Sequence, residues 1–369
     1  MNIYDTSKRC EEITMMISDL SSILDDYCKS IVLYGSASHN GLVYTKNCNQ
    51  IDFLSDIEFI VIPKDVANEN NRDFRRFLIS ECTKYFEKQK SIGIAPFVDV
   101  NPVSLDFYTN AQKRISTFEL KKNGVIVKGD DVLSLLPDID ANSFEPRIQN
   151  IEIVKGLKIL LIESNKWFLH QENSDKMDTT ASCYFLASSF LNILRTLLPQ
   201  FGIFQSVLSE RIDSINILLK NTELRRYFSV DTLEHFESVY QQKQKGVFLY
   251  SPEKLFLITL NGYKSLLGYL CQVETNEIFQ AIYDQREKLF WGNKDKINLL
   301  AKLAQFFVSS LTCIEQSLTN RKVGYEEIEK VVLSYGKLVY SDCSDIVMSI
   351  IDDYTHLEKV RWTIIGSKD

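Results

Sequence analysis

Apolar residues recur along this chain in two rhythms, and the change from one to the other divides it. Before about residue 146, short apolar runs alternate with helical stripes. Ile31-Val32-Leu33-Tyr34 is a β-rich run that stops at Gly35-Ser36. Residues 54–62 and 94–100 form two more such runs, and Val125–Lys128 a short fourth. Residues 7–27 carry Ile13, Met16, Ile17, Leu20, Ile23, Leu24 and Tyr27 on one helical stripe, and 71–88 does the same with Phe74, Phe77, Leu78, Cys82, Tyr85 and Phe86. A further helix is predicted over 109–122. Beyond 146 strand signals almost vanish. Segments 151–170, 179–198, 204–219, 230–242, 252–271, 275–290, 294–318, 325–335 and 342–356 show helical spacing, separated by Pro, Gly, Asn or Asp. The expected architecture is α+β: an N-terminal mixed sheet with flanking helices over 1–145, then an all-α domain over 146–369.

Acids break the strand pattern in two places. In Leu54-Ser55-Asp56-Ile57-Glu58-Phe59-Ile60 they replace apolar residues at alternate positions, and a strand's period of two puts Asp56 and Glu58 on one face. In Pro96-Phe97-Val98-Asp99-Val100 one acid again interrupts an apolar run, and a neighbouring strand would bring Asp99 beside the first pair. Such carboxylates resist joint burial as anions, because desolvation and mutual repulsion are too large, so a divalent cation is the natural counter-charge. All-oxygen ligation suits Mg²⁺ or Mn²⁺, and Mg²⁺ binds through a few carboxylates plus substrate phosphates. Asp56 and Glu58 are expected to bridge two ions, and Asp99 to hold the ion nearer an acceptor hydroxyl and take its proton. Asp106 competes with Asp99 for that place but lies past Pro102 with weaker strand flanks. Gly35 lets the backbone approach phosphate oxygens, and Ser36 adds a hydroxyl. A lone Gly-Ser is commonly only a turn, and a lone Asp-x-Glu only a solvated face; their order and apolar setting carry the reading.

Tyr34-Gly35-Ser36 with Ser55-Asp56-Ile57-Glu58 and then Asp99 resembles the DNA polymerase beta-like nucleotidyltransferase superfamily, most closely kanamycin nucleotidyltransferase-like and other bacterial small-molecule nucleotidyltransferases. The resemblance spans residues 25–135, including Gly124 to Asp131, similar to the strand and Gly-Asp element that often follows the catalytic core. It implies an N-terminal nucleotidyltransferase catalytic domain and a helical substrate-binding domain. It further implies transfer of a nucleoside monophosphate, expected to be AMP from ATP, to a hydroxyl of a small-molecule acceptor, with Mg²⁺ or Mn²⁺. Two departures stand out. Residues 37–55 separate Gly-Ser from the first acid by a loop longer than usual, and the Arg that often follows Gly-Ser is absent, with Ser38-His39 in its neighbourhood. Ser38 and His39, together with Lys155 on the first long helix of the second half, are therefore candidate nucleotide contacts, each weighed against a solvated side chain. Alternatives are an adenylylating enzyme that modifies protein, a toxin–antitoxin type nucleotidyltransferase, and a non-catalytic nucleotide-binding relative.

Charge narrows the substrates. The chain has 369 residues, 45% hydrophobic, with a formal net charge of −7. That balance disfavours long nucleic acid, whose binding draws on Lys/Arg contacts and counterion release. Arg72, Arg75, Arg76 and Lys84 read as the solvated face of their helix. The aromatic stretches Trp167-Phe168 and Phe248-Leu249-Tyr250 read as core ahead of base-stacking platforms. Eight cysteines include no C-x-x-C pair, and the four histidines form no local metal motif, so reduced thiols are expected. The first residues lack a basic and apolar signal pattern, and no apolar run is expected to reach bilayer-spanning length, which together predict a cytoplasmic protein without membrane partners.

Overall fold

The computed structural model describes residues 11–47, 50–141, 144 and 176–272. The fold is α+β, with two mixed sheets followed by a helical region. Strands β1 (Cys28–Tyr34), β4 (Ile57–Pro63), β6 (Val98–Pro102) and β7 (Val125–Lys128) form a sheet of order β6-β4-β1-β7. β1 is antiparallel to β4 and β7, whereas β4 and β6 are parallel. A parallel pair needs a crossover, which helix α2 (Arg72–Phe86) supplies. Asn71 starts that helix by accepting from the backbone N–H groups of Asp73 and Phe74.

Both faces of this sheet are covered, which is why its strands read as continuous apolar runs. On one face Ile31, Leu33, Ile57, Phe59, Val61, Val98 and Val100 meet α1 (Glu11–Asp25) through Ile13, Met16, Ile17, Leu20 and Leu24, and α2 through Leu78, Cys82 and Phe86. On the other, Val32, Ile60 and Ile62 meet Tyr108, Leu120, Val132 and Leu136.

Residues 37–55, expected as a loop, instead build structure. After a 3₁₀ turn over Gly35–His39, β2 (Tyr44–Asn47) and β3 (Gln50–Phe53) form a hairpin, and β3 pairs in parallel with β5 (Ile92–Ile94). Because β3 leads into β4 and β5 into β6, two chain segments run side by side through both sheets. The break between the sheets falls at Leu54-Ser55-Asp56, where the N–H groups of Leu54 and Ser55 both donate to the Val43 carbonyl, at 3.0 and 3.1 Å.

The helix predicted over 109–122 divides into α3 (Asp106–Thr109) and α4 (Ile115–Asn123). α4 is buried on two sides: Leu120 belongs to the sheet's second core, whereas Ile115 and Phe118 join the helical one. The helical core lies among α5 (Lys176–Gln200), the short α6 (Leu208–Asp213) and α7 (Ile215–Leu218), α8 (Val230–Lys245) and α9 (Pro252–Cys271). The single helix predicted over 204–219 becomes α6 and α7, which meet at Ser214; its hydroxyl donates to the Glu210 carbonyl at 3.0 Å, a local bond that competes with a straight helix. Phe190 and Phe236 stack at 4.3 Å between α5 and α8, and a Cβ at Gly262 would come within 2.8 Å of the Phe190 ring, so glycine lets α9 approach α5 closely.

Residues 179–200 within α5 are long and apolar enough to span a bilayer, contrary to the expectation that no run would be. In the fold 67% of its 18-residue apolar window is buried in the helical core. The helices predicted over 151–170, 275–290, 294–318, 325–335 and 342–356, and Lys155, lie outside the described residues.

Candidate functional site

Glu58 lies in β4 and Asp99 in β6, and the parallel register sets them directly opposite one another. Val98 and Val100 on either side of Asp99, and Ile57 and Phe59 on either side of Glu58, all belong to the core on the other face. The strand period therefore brings both acids to one side. Asp56, read from sequence as inside the strand, stands just before it, because β4 begins at Ile57. It occupies the break between the two sheets and is exposed. Asp106 heads α3 and has no place in the β4–β6 register, so Asp99 is the acid that faces Glu58.

Gly35 ends β1 beside Glu58. It has φ of 68°, and a Cβ there would fall 1.8 Å from Glu58 Oε2, so the carboxyl occupies the space a side chain would need. Burial, followed by the charges of Asp56 and Asp99, holds the Glu58 carboxyl well above the usual carboxylate range, with Arg195 acting against them. Beyond Gly35, Ser36 is half-buried and its carbonyl accepts from Gly41 N–H at 2.8 Å. The Ser38 hydroxyl donates to the Gly35 carbonyl at 2.8 Å, which commits it to the turn. The half-buried His39 ring packs close to Gly41.

Basic side chains from four helices lie around this region, and one of them, Arg75, pairs directly with an acid of the strands. Arg75 of α2, expected as solvated charge, donates through Nη2 at 2.8 Å and Nε at 3.3 Å to Asp99 Oδ1. From the helical region, Arg195 of α5 donates to Glu119 of α4 at 2.7 Å, and Arg211 of α6 donates to the other oxygen of the same carboxyl. Arg211 also bonds the carbonyls of Gln205 and Ser206, each at 2.7 Å. The Lys243 ammonium of α8 lies 4.8 Å from the centre of the Tyr184 ring. The Tyr184 hydroxyl shares a 3.0 Å hydrogen bond with Ser55 Oγ, which accepts from Val43 N–H, so this chain of contacts ends on the residue before Asp56. Burial pushes the Lys243 ammonium down to about 8, while Asp56 draws it the other way and Arg211 adds to the lowering.

The structure thus brings Gly35, Asp56, Glu58 and Asp99 together and surrounds them with Arg75, Arg195, Glu119 and Lys243, none of which the strand motifs identify. A signal was present for some of them. Arg75 shares its helical stripe with Leu78, Cys82 and Phe86, and Arg195 stands among Leu194, Leu197 and Leu198. A charge on a buried stripe needs a partner. Among the described residues no three His, Cys, Asp or Glu side chains stand together as a ready metal-ligating group. The donor chemistry nevertheless fits a hard divalent cation: oxygen ligands only, with one carboxyl under strong anionic crowding. A scan of family models finds no match to this sequence, and a search of curated proteins finds no relative.

Proposed function

We propose that this protein is a metal-dependent nucleotidyltransferase, with a nucleotidyltransferase-type catalytic unit over 1–145 and a helical substrate-binding unit over 146–369. One observation carries the reading: Glu58 faces Asp99 across adjacent parallel strands, with Asp56 two residues away and Gly35 leaving no side chain between the first strand and Glu58. Asp56, Glu58 and Asp99 are the residues that would hold Mg²⁺ or Mn²⁺, which when bound neutralises phosphate charge. The Gly35-Ser36 backbone and the Ser36 hydroxyl receive the triphosphate, with His39 beside it. Ser38, already bonded to Gly35, supports the turn more than the ligand.

In the reaction the acceptor hydroxyl oxygen bonds to the α-phosphorus, the bond from that phosphorus to the bridging oxygen breaks, and pyrophosphate leaves. Asp99 accepts the hydroxyl proton. The net charge of −7 favours a small acceptor over a long nucleic acid, and ATP donating AMP is the expected nucleotide. Incubating the purified protein with each α-labelled triphosphate, a metabolite pool and Mg²⁺ or Mn²⁺ tests this. A labelled adduct, lost in Asp56→Ala, is the expected result; no adduct with any triphosphate rejects the reading.

A second reading, a nucleotide-binding relative without catalysis, is favoured by the Arg75 ion pair, which occupies Asp99. Nucleotide binding without transfer to any acceptor would select it.

A further inference from the structure

The backbone of Val43 is held on both sides by one short segment. Its carbonyl accepts from the N–H groups of Leu54 and Ser55 at 3.0 and 3.1 Å, and its own N–H donates to Ser55 Oγ at 2.8 Å. In an extended strand consecutive N–H groups point to opposite sides. Two that converge on one oxygen mean that the chain coils there, so strand alternation is interrupted between β3 and β4, and Asp56 stands exposed between them. A further contact of this clip comes from the helical region: Tyr184 of α5 brings its hydroxyl to 3.0 Å from Ser55 Oγ. Val43, Leu54 and Tyr184 are buried together, with Phe185 and Phe248 packed against them, and Ser55 is buried beside them. Little water can therefore replace that bond. Without it the Ser55 hydroxyl keeps only Val43 N–H and is free to turn.

We propose that Tyr184 is a positioning residue for Asp56: acting through Ser55, it fixes the coil at residues 54–56 and so the place from which the Asp56 carboxylate reaches its ligand. Residues 37–55, the segment longer than usual between Gly-Ser and the first acid, contain both halves of the clip, Val43 and Ser55, and thereby carry the connection from the helical region to the carboxylate. This rests on the nucleotidyl-transfer reading, in which Asp56 helps to hold the metal, and adds that the helical region sets the geometry of that acid. The physical cause is orientation. An exposed carboxylate on a backbone held from three sides has less freedom to lose when it binds a cation. Groups that orient ligating side chains typically account for about 10–100-fold in metal affinity or activity.

The test uses the whole chain and reads Mn²⁺ affinity in two ways: without nucleotide, from the paramagnetic resonance signal of the free ion, and during transfer from α-labelled ATP, from the Mn²⁺ concentration that gives half the maximal rate. Tyr184→Phe removes one oxygen and keeps the ring against Val43, Leu54 and Lys243. It should weaken Mn²⁺ binding about tenfold or more. The rate at saturating ATP should fall with it, while the ATP concentration for half-maximal rate changes little, because Gly35-Ser36 is not part of the clip. Ser55→Ala should do the same, and the double variant should be no weaker than Ser55→Ala alone, since the two hydroxyls act as a unit. Tyr263→Phe is the control: it removes a hydroxyl equally buried, bonded at 3.0 Å to the Ser189 carbonyl between α9 and α5, and should leave Mn²⁺ affinity unchanged. Wild-type affinity by both readings in a folded Tyr184→Phe, additive losses in the double variant, or an equal loss in Tyr263→Phe each overturns the proposal and leaves the transferase reading standing. If the wild type neither binds Mn²⁺ nor transfers label, both fall.

Discussion

At Glu58 the chain places a carboxyl under a glycine and beside two other acids, so the charged form is disfavoured by burial first and by Asp56 and Asp99 second. An amide of the same shape avoids both penalties. Glu58→Gln should therefore melt at the wild-type temperature or above it, while losing nearly all metal-dependent transfer. A scan of both proteins at neutral pH, with the transfer assay alongside, checks the pair of outcomes; a clearly lower melting temperature would mean that the carboxylate is a structural ion-pair member. The same crowding made Glu58 legible in the sequence, since an acid inside an apolar strand asks for an explanation. Asp56 was legible as an acid but not as a residue at a break. Nothing local marks where Ser55 turns its hydroxyl to Val43 and Tyr184, the latter 129 positions away.

Elements carry the link between the sheets and the helical region. α4 sits between their cores, and its Glu119 ties α5 through Arg195 and α6 through Arg211. The side chains of Glu119, Arg195 and Arg211 are only 12%, 20% and 7% exposed, so removing the acid strands two guanidinium groups with little water to replace it. Breaking a buried ion pair from one side costs about 3 kcal/mol or more. Glu119→Ala should lower stability by about that much, read as a shift of the urea midpoint at constant slope, whereas a loss below about 1 kcal/mol would mark the triad as a surface network. From the sequence, α1, α2 and the cores of α8 and α9 were evident because one stripe of each is apolar. α4 was harder to read as a two-sided element, since Ile115 and Phe118 serve one core and Leu120 another. The hairpin of β2 and β3 was missed because its strands are only four residues long, and the further partner of β3, the three-residue β5, begins 39 positions after β3 ends. Such pairing leaves little local trace.

For the whole molecule, buried titratable groups set how stability responds to alkali, and two sets act in opposite directions. The Cys28 and Cys82 thiols are fully buried in the core shared by α1, α2 and the sheet, and burial pushes each up to about 12 from an ordinary 9.0. Between those values the native state keeps protons that the unfolded chain releases, so stability falls as pH rises from about 9. Each thiol then removes about 1 kcal/mol per pH unit. Lys243 does the reverse: its ammonium is lowered to about 8 from 10.5, so over that interval the unfolded chain holds the proton that the native state has lost, and stability rises with pH. Burial also raises Tyr85, Tyr108, Tyr240 and Tyr269, which act with the thiols, so the lysine offsets the fall only in part and the wild-type protein should lose stability between pH 8 and pH 10 in metal-free buffer. Separating them requires variants. The stability of Cys28→Ala/Cys82→Ala relative to wild type should improve by about 2–3 kcal/mol between pH 8 and pH 10, whatever constant penalty the lost sulfurs impose. Lys243→Met should instead lose ground over the same range. Urea midpoints at the two pH values decide the matter, and parallel pH dependence in all three proteins would mean that these groups meet water in the native state.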